Sequence, residues 1–323
     1  MSKFIGRKVE LAIALETSRG VGKAPAFSLG KVDFSLFDKT VDARQDESLG
    51  HIADSVDKYV QEKYAQGAFG GILGANSSMY LFALAFGGLP TVGAAVDSVY
   101  PWSIAVDNDA IHQSGAFLVK DENQTLMYKL AMLEQFEMEI TPEDLVRFTA
   151  EFIAKKGVVS TKAMPSYVED YKFGKRKAKI YIADDIAGLP AASRLPLKNF
   201  RLTVNKNLIR DSQIGTVEPT DINNQQMSIE GELVLNWNDQ TYKNYMLNGD
   251  KKAMRIALES EKVIGSSAFG TLEIDLPKID LFGWEPDASI DDIVNQTINF
   301  KANYHLTSGL VESVTVGNAK AAL

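Results

Sequence analysis

Cysteine is absent from the 323 residues, and histidine is nearly so. Without cysteine the chain has no disulfide, no thiolate metal site and no cysteine nucleophile. The three histidines, His51, His112 and His305, lie too far apart in sequence for the closely spaced pair typical of a zinc site. The sequence therefore predicts no metal site.

The spacing that nucleotide-binding loops require is also missing. In residues 20–23, which resemble part of a phosphate loop, Thr17 replaces the first glycine and Ala24 replaces the metal-binding hydroxyl. Four glycines between positions 67 and 74 lie in or after a predicted strand and do not fit a pyrophosphate-binding turn. No nucleophile-elbow sequence occurs either. We therefore expect no cofactor and no enzymatic activity.

Positive charge is outnumbered, since 34 lysines and arginines face 42 acidic residues and give a net charge of −8. Proteins that bind nucleic acid through its phosphates usually carry a basic patch. The one dense basic run, residues 175–179, is expected at a solvated strand edge. The one long apolar stretch, residues 79–96, is interrupted by glycines and Pro90. It predicts a short buried helix followed by a loop, and not a membrane span.

Seven segments of the first half match seven segments of the second half in the same order, which indicates a duplication. The clearest match aligns residues 7–14 with residues 176–183. The others align 32–36 with 198–202, 48–50 with 212–215, 69–73 with 229–233, the predicted helices 77–86 with 240–247, 136–140 with 272–276, and 146–150 with 298–302. The alternative is that two antiparallel sheets resemble each other by chance.

The predicted fold is mainly β, because most segments alternate apolar and polar residues with period two. We expect two tandem domains, residues 1–165 and 172–323, each with one short helix. The first would carry an insertion at about residues 87–124, and residues 158–173 read as a linker. A further helix is predicted over residues 290–296, capped by Ser289.

Three groups of residues suggest a family. They are residues 5–10 with 20–24; residues 47–52 and 67–71 with Tyr59, Tyr80 and Leu81; and residues 276–279 with Trp284, Gln296, Phe300 and Tyr304, ending near 318–319. Over nearly the whole chain this pattern resembles the major tail tube proteins of long, non-contractile bacteriophage tails.

The resemblance implies a virion protein made in the host bacterial cytoplasm. Each domain would be a β-sandwich or half-barrel with a flanking helix. Neighbouring subunits would join their sheets into a barrel, and stacked rings would form the conduit for DNA ejection. Two domains per chain favour a trimer with pseudo-sixfold symmetry over a hexamer. Further partners would be the tape-measure, tail tip and tail terminator proteins, with DNA passing through without specific binding.

The polar segment at residues 38–58 is the candidate inter-ring loop that the resemblance implies, and a mobile surface loop is the alternative. Its candidate contact residues are Asp42, Arg44, Asp46, Glu47, Gly50 and Asp54.

Four carboxylates are candidates for the lumen wall: Glu137, Glu139, Glu273 and Asp275. They alternate with apolar residues, so each pair is expected to face water, either in the lumen or on the outside of the tube. A wall of carboxylates would repel DNA weakly and let it slide.

Two other classes of protein remain possible on sequence alone. A tail terminator or baseplate ring would share the fold but stop at a single ring. A carbohydrate-binding β-sandwich would need aromatic side chains aligned on one face, whereas Trp102, Trp237 and Trp284 are scattered.

Overall fold

A computed structural model describes residues 5–30, 33–45, 50, 52, 54–109, 111–288 and 293–322. The first half contains β1 (Glu10–Leu15), β2 (Phe27–Leu29), β3 (Asp33–Phe34), β4 (Phe37–Gln45), β5 (Asp57–Ile72), α1 (Ala75–Phe86), β6 (Thr91–Val92), β7 (Tyr100–Ile104), β8 (Gly115–Lys120), β9 (Thr125–Ile140), β10 (Arg147–Lys155) and β11 (Val158–Val159). The second half contains β12 (Lys179–Ala183), β13 (Leu197–Asn205), β14 (Ile209–Asp211), β15 (Asp221–Asn223), β16 (Ser228–Asn236), α2 (Thr241–Asn248), β17 (Lys251–Val263), β18 (Phe269–Asp287), β19 (Asn295–Ala302) and β20 (Ser313–Asn318).

The mainly β fold is confirmed, and the two halves have the same strand order. In the first half β1 pairs with β8, then β9, β10, β5 and β4 follow across the sheet. In the second half β12 pairs with β17, then β18, β19, β16 and β13 follow. A short 3-10 turn precedes β1 and another precedes β12. This repeated order supports the duplication, which stays a proposal together with its domain boundaries.

Two of the predicted segment matches do not hold in register. Asp33 lies opposite Gly70, and Thr203 lies opposite Glu230, the residue aligned with Gly70. Asp33 therefore corresponds to Thr203 and not to Asn199.

The second mismatch concerns residues 136–140. Phe148 lies opposite Met138, and its counterpart Phe300 lies opposite Leu281. Met138 therefore corresponds to Leu281, and not to the Ile274 that the match of residues 136–140 with 272–276 implies. A period of two is self-similar along a long strand, so sequence alternation alone does not fix the register.

The two halves are joined edge to edge. β13 of the second half pairs with the outer edge of β9 in the first half, from Phe200 opposite Ile140 to Asn205 opposite Gln135. A second joint lies elsewhere, where β20 of the second half fits between β18 and β7. The strands β4, β5, β10, β9, β13, β16, β19 and β18 consequently form one continuous sheet.

The helix α1 lies in the core, as predicted from its apolar sequence, and every one of its residues is buried. It begins after Gly74 and ends at Gly87, whose φ of 82° is the left-handed conformation that terminates helices. Phe82 of the helix packs into an aromatic cluster of the first half, together with Phe69, Phe117, Phe136, Phe148 and Phe152. No helix in the described part of the chain is long and apolar enough to cross a membrane.

Two predictions about local structure are wrong. The segment 38–58 is not a loop throughout, because its residues 38–45 belong to β4 and residues 57–58 to β5, which pair from Phe37 opposite Gln66 to Gln45 opposite Asp57 as a long hairpin. The predicted helix at residues 290–296 is contradicted where it is described, since β19 begins at Asn295. Ser289 and residues 290–292 lie outside the described residues.

Candidate assembly surfaces

One face of the continuous sheet is polar, and its side chains form cross-strand rows. Residues directly opposite one another on antiparallel strands lie on the same face. The first row consists of Arg147, Glu139, Arg201, Glu232 and Asn299, on five neighbouring strands. The second row consists of Thr149, Glu137, Thr203, Glu230 and Lys301. Between them lie Phe148, Met138 and Leu202, which are buried and face the core.

The polar face carries both signs of charge. The guanidinium of Arg201 lies 3.5 Å from the carboxylate of Glu137 and 3.8 Å from that of Glu139. Lys301 pairs with Glu230 at 2.7 Å. These five charged side chains lie on four different strands, so their pairing depends on register. The face that carries Glu137 and Glu139 is therefore a mixed ladder in which acids are partly neutralised, and not the purely acidic face expected from sequence.

The other two candidate carboxylates lie in a different part of the molecule. Glu273 and Asp275 are on the portion of β18 that pairs with β17 and β20, outside the rows of the polar face. Asp275 is only 3% exposed and accepts two hydrogen bonds from Arg255, at 2.7 and 2.8 Å. Ser313 donates a third at 3.2 Å. The expectation that Asp275 faces water is wrong, because Arg255 on the neighbouring strand holds it inside the protein.

Glu273 is half-buried beside the same arginine. Burial raises its pKa, and Arg255, with a nitrogen 3.3 Å away, opposes that rise. Sequence reasoning missed Arg255 because cross-strand partners can be found only when the register is known.

Two strand edges of the continuous sheet have no neighbour within the described residues. β4 pairs with β5 alone, at one end of the sheet. At the other end, residues 281–287 of β18 pair with β19 alone. β3 pairs with β5 beside β4 and is the counterpart of β13, and the free part of β18 belongs to the counterpart of β9. β13 and β9 are the two strands that join the halves. An unpaired edge is a template for another chain.

The long hairpin of β4 and β5 projects from this sheet. All residues of β4 before Gln45 are exposed. Asp42 pairs with Lys58 at 2.9 Å across the hairpin, and this hydrogen bond lowers the pKa of Asp42. Arg44 lies opposite Lys58, and Gly50 and Asp54 are exposed in the connection between the strands. Asp46 and Glu47 lie outside the described residues.

Sequence reasoning also missed a buried polar cluster where the halves meet. Lys206 is fully buried and donates to the carbonyl of Leu84 at 2.7 Å, near the end of α1. Arg19 donates to the carbonyl of His112 and to Asp221 of the second half at 2.6 Å. Isolated polar residues in turns give no sequence signal for such a junction.

His112 predicts a pH dependence of stability. Burial lowers its pKa to about 4, and the nearby charge of Lys206 adds to the effect. Between pH 4 and 6.5 the unfolded chain binds this proton and the folded chain does not, so stability should rise with pH. The slope from this group reaches about 1.4 kcal/mol per pH unit. Urea unfolding should show a shallower slope for His112→Gln than for the unsubstituted chain, and equal slopes would contradict the assignment.

The architecture is that of a mainly β protein with two open sheet edges and a projecting hairpin. The family model for phage tail tube proteins matches residues 6–302, and the chain belongs to this family. It is a structural component of the virion tail that assembles into a tube. No curated protein is significantly similar to the chain. Membership of a structural family also supports the expectation that the chain is not an enzyme.

Proposed function

We propose that three chains close into a ring with pseudo-sixfold symmetry, and that stacked rings form the conduit for DNA ejection. The observation that carries this proposal is the joint between β9 and β13. Each half contributes its strands to the continuous sheet, and the free edges of β18 and β3 repeat the two sides of that joint. Pairing β18 of one chain with the β3–β4 edge of the next repeats it between chains. Ring closure then leaves no open edge.

Electron microscopy of the purified chain tests the ring. End-on class averages should show three chains and six similar lobes per ring, and a ring of six complete chains would overturn the trimer. Isolated rings without tubes would favour a tail terminator or baseplate ring, and monomers alone would contradict all of these functions.

A matched pair of variants tests the edge. Phe282 is exposed on the free edge of β18, and Phe282→Asp should leave a folded chain that forms no rings. Leu306→Asp places the same charge on an almost fully exposed leucine away from this edge and should assemble normally. Normal rings from Phe282→Asp would exclude this edge from the interface. Circular dichroism checks that both variants are folded.

The polar face of the sheet is proposed to line the lumen, because the core and α1 cover its other face. Glu137 and Glu139 keep their proposed place on this wall, where DNA would slide past a mixed ladder with an excess of acids. The tape-measure, tail tip and tail terminator proteins would contact the tube at its ends.

Charge reversal on this wall should make tubes retain DNA. We expect tubes of the double variant Glu137→Lys/Glu139→Lys to hold a short fluorescent duplex at low salt and release it as salt increases, since basic groups bind phosphates with release of counterions. The control, Glu10→Lys/Glu122→Lys, makes the same charge change at β1 and the β8–β9 turn, outside the continuous sheet. Equal retention by both variants would remove the two glutamates from the lumen.

The hairpin of β4 and β5 is proposed to contact the adjacent ring, with Asp42, Arg44, Gly50 and Asp54 near its tip. Deleting residues 46–53 should leave a folded chain that no longer forms tubes. Tubes of normal length from this deletion would exclude the tip from assembly. Asp46 and Glu47 are likewise proposed to contact the adjacent ring.

A further inference from the structure

The two helices occupy corresponding positions in the halves but differ in burial. α1 follows β5, α2 follows the corresponding strand β16, and each packs beside its own half. All residues of α1 are buried, whereas no residue of α2 is. Tyr242, Tyr245 and Met246 pack against the core, and Leu247 is 65% exposed. The second helix has an uncovered side that the first does not have.

Part of the cover over α1 comes from the other half of the chain. The side chain of Asn318, at the end of β20, donates to the carbonyl of Ala75 at 3.4 Å. The Lys320 ammonium lies 5.7 Å from the ring centre of Tyr80, and its carbonyl accepts from Trp102 of β7 at 3.0 Å. The helix of the first half is thus covered in part by β20, the last strand of the second half, which is the next half in the continuous sheet.

The strand corresponding to β20 in the first half is β11. β20 pairs with β18 next to β19, and β11 pairs with the corresponding strand β9 next to β10. β20 has β7 on its other edge, but β11 pairs with β9 alone in the described part of the chain. Val158 and Val159 are 45% and 71% exposed there.

A groove of about 180 Å³ adjoins this edge and is lined by Val21, Met127, Lys129, Val158, Val159, Ser160 and Lys162. Val21 is 66% exposed. Nothing in the second half corresponds to β7, because only Gly249 and Asp250 separate α2 from β17. The edge of β11 and the outer side of α2 are therefore both left open by the same difference between the halves.

We propose that α2 of one chain packs against the groove at β11 of the next chain in the ring. The partner that covers α2 is a second copy of this chain. In the proposed ring, the second half of one chain is followed by the first half of the next. In that position β11 of the next chain lies beside α2, just as β20 lies beside α1 within one chain. Leu247 would enter the groove between the valines, while Asp239 and Asp250, at the two ends of α2, would lie near Lys129 and Lys162.

The inference rests on the proposed ring but can fail separately from it. Since the chain has no cysteine, engineered thiols form disulfides without background. Leu247→Cys and Val159→Cys chains, mixed and assembled, should give a covalent dimer after mild oxidation. Neither variant alone should do so, because the contact is between different surfaces. A chain carrying both substitutions should give a covalent trimer.

The control replaces Val159→Cys with Ile209→Cys, on a residue of β14 that is also exposed. Disulfide formation by Leu247→Cys with Val159→Cys, and not with Ile209→Cys, supports the contact. Intact rings by microscopy with no disulfide between the first pair would overturn the α2 contact and leave the tube function standing. A chain that never forms rings, substituted or not, would overturn both.

Discussion

Replacing Asp275 with alanine is expected to destabilise the folded chain by about 3 kcal/mol, because removing one partner of a buried ion pair leaves the other charge uncompensated. Asp275 is buried and accepts two hydrogen bonds from Arg255. The pKa of Arg255 is raised, chiefly by this hydrogen bond. The variant would also leave the hydroxyl of Ser313 without its acceptor. Urea unfolding of the two proteins at pH 7 measures the difference.

Glu273→Ala is the matched control, because Glu273 lies two residues away and approaches the same arginine at 3.3 Å. Its carboxylate is partly exposed, so its loss should cost less than about 1 kcal/mol. Equal losses from both substitutions would contradict the structural role of Asp275. If Asp275→Ala left stability unchanged and altered only the behaviour of DNA in tubes, the original lumen prediction for this residue would be restored.

The strands, the buried helix and the repeated order of elements could be predicted because each depends on a short-range pattern. Alternation marks strands with one buried face, and a helix as apolar as α1 has to be buried on all sides. The β4–β5 hairpin was not predicted, because β4 is exposed along almost its whole length. A strand with no buried face does not need the alternation of apolar and polar residues that marks other strands. The polar residues of β4 read as a loop for that reason.

Partners on the polar face could not be predicted, because they depend on register and on which strands become neighbours. Arg201 comes to Glu137 and Glu139 only because β13 of the second half lies beside β9 of the first. The same holds for Arg255 and Asp275, which lie opposite each other on β17 and β18. The alternation of carboxylates with apolar residues had suggested an acidic wall, but the structure places basic side chains in the same rows as Glu137 and Glu139.

The difference between the halves bears on how a ring can open. Within a chain, the joint between the halves consists of the pairing of β13 with β9 and the pairing of β20 with β7. Between chains the proposed joint lacks a counterpart of β7 and depends on α2 instead. Three of the six joints in a ring would then be weaker than the other three, and a ring should open first at a joint between chains.

The start of α1 depends on a residue far away in sequence. Gly74 precedes the helix and has no side chain to cap it. Asp170, from the segment between the halves, accepts hydrogen bonds from the backbone of Asn76 at 2.8 Å and of Ser77 at 3.2 Å. The hydroxyl of Ser77 donates to it at 2.6 Å. A Cβ at position 74 would lie 2.3 Å from the carboxyl carbon of Asp170, so glycine is needed for this approach.

We expect Asp170→Ala to destabilise the folded chain by about 3 kcal/mol, since a lost helix cap costs up to about 2 kcal/mol and buried unpaired donors cost more. Asp170→Asn keeps one acceptor oxygen and should lose less. Glu169→Ala removes the neighbouring exposed carboxylate, which pairs only with Lys262 in the described residues, and should change stability little. Urea unfolding ranks the three variants. Because α1 lies under strands of both halves, an Asp170→Ala chain as stable as the Glu169→Ala chain would mean that packing alone holds the helix and that the linker carboxylate is dispensable.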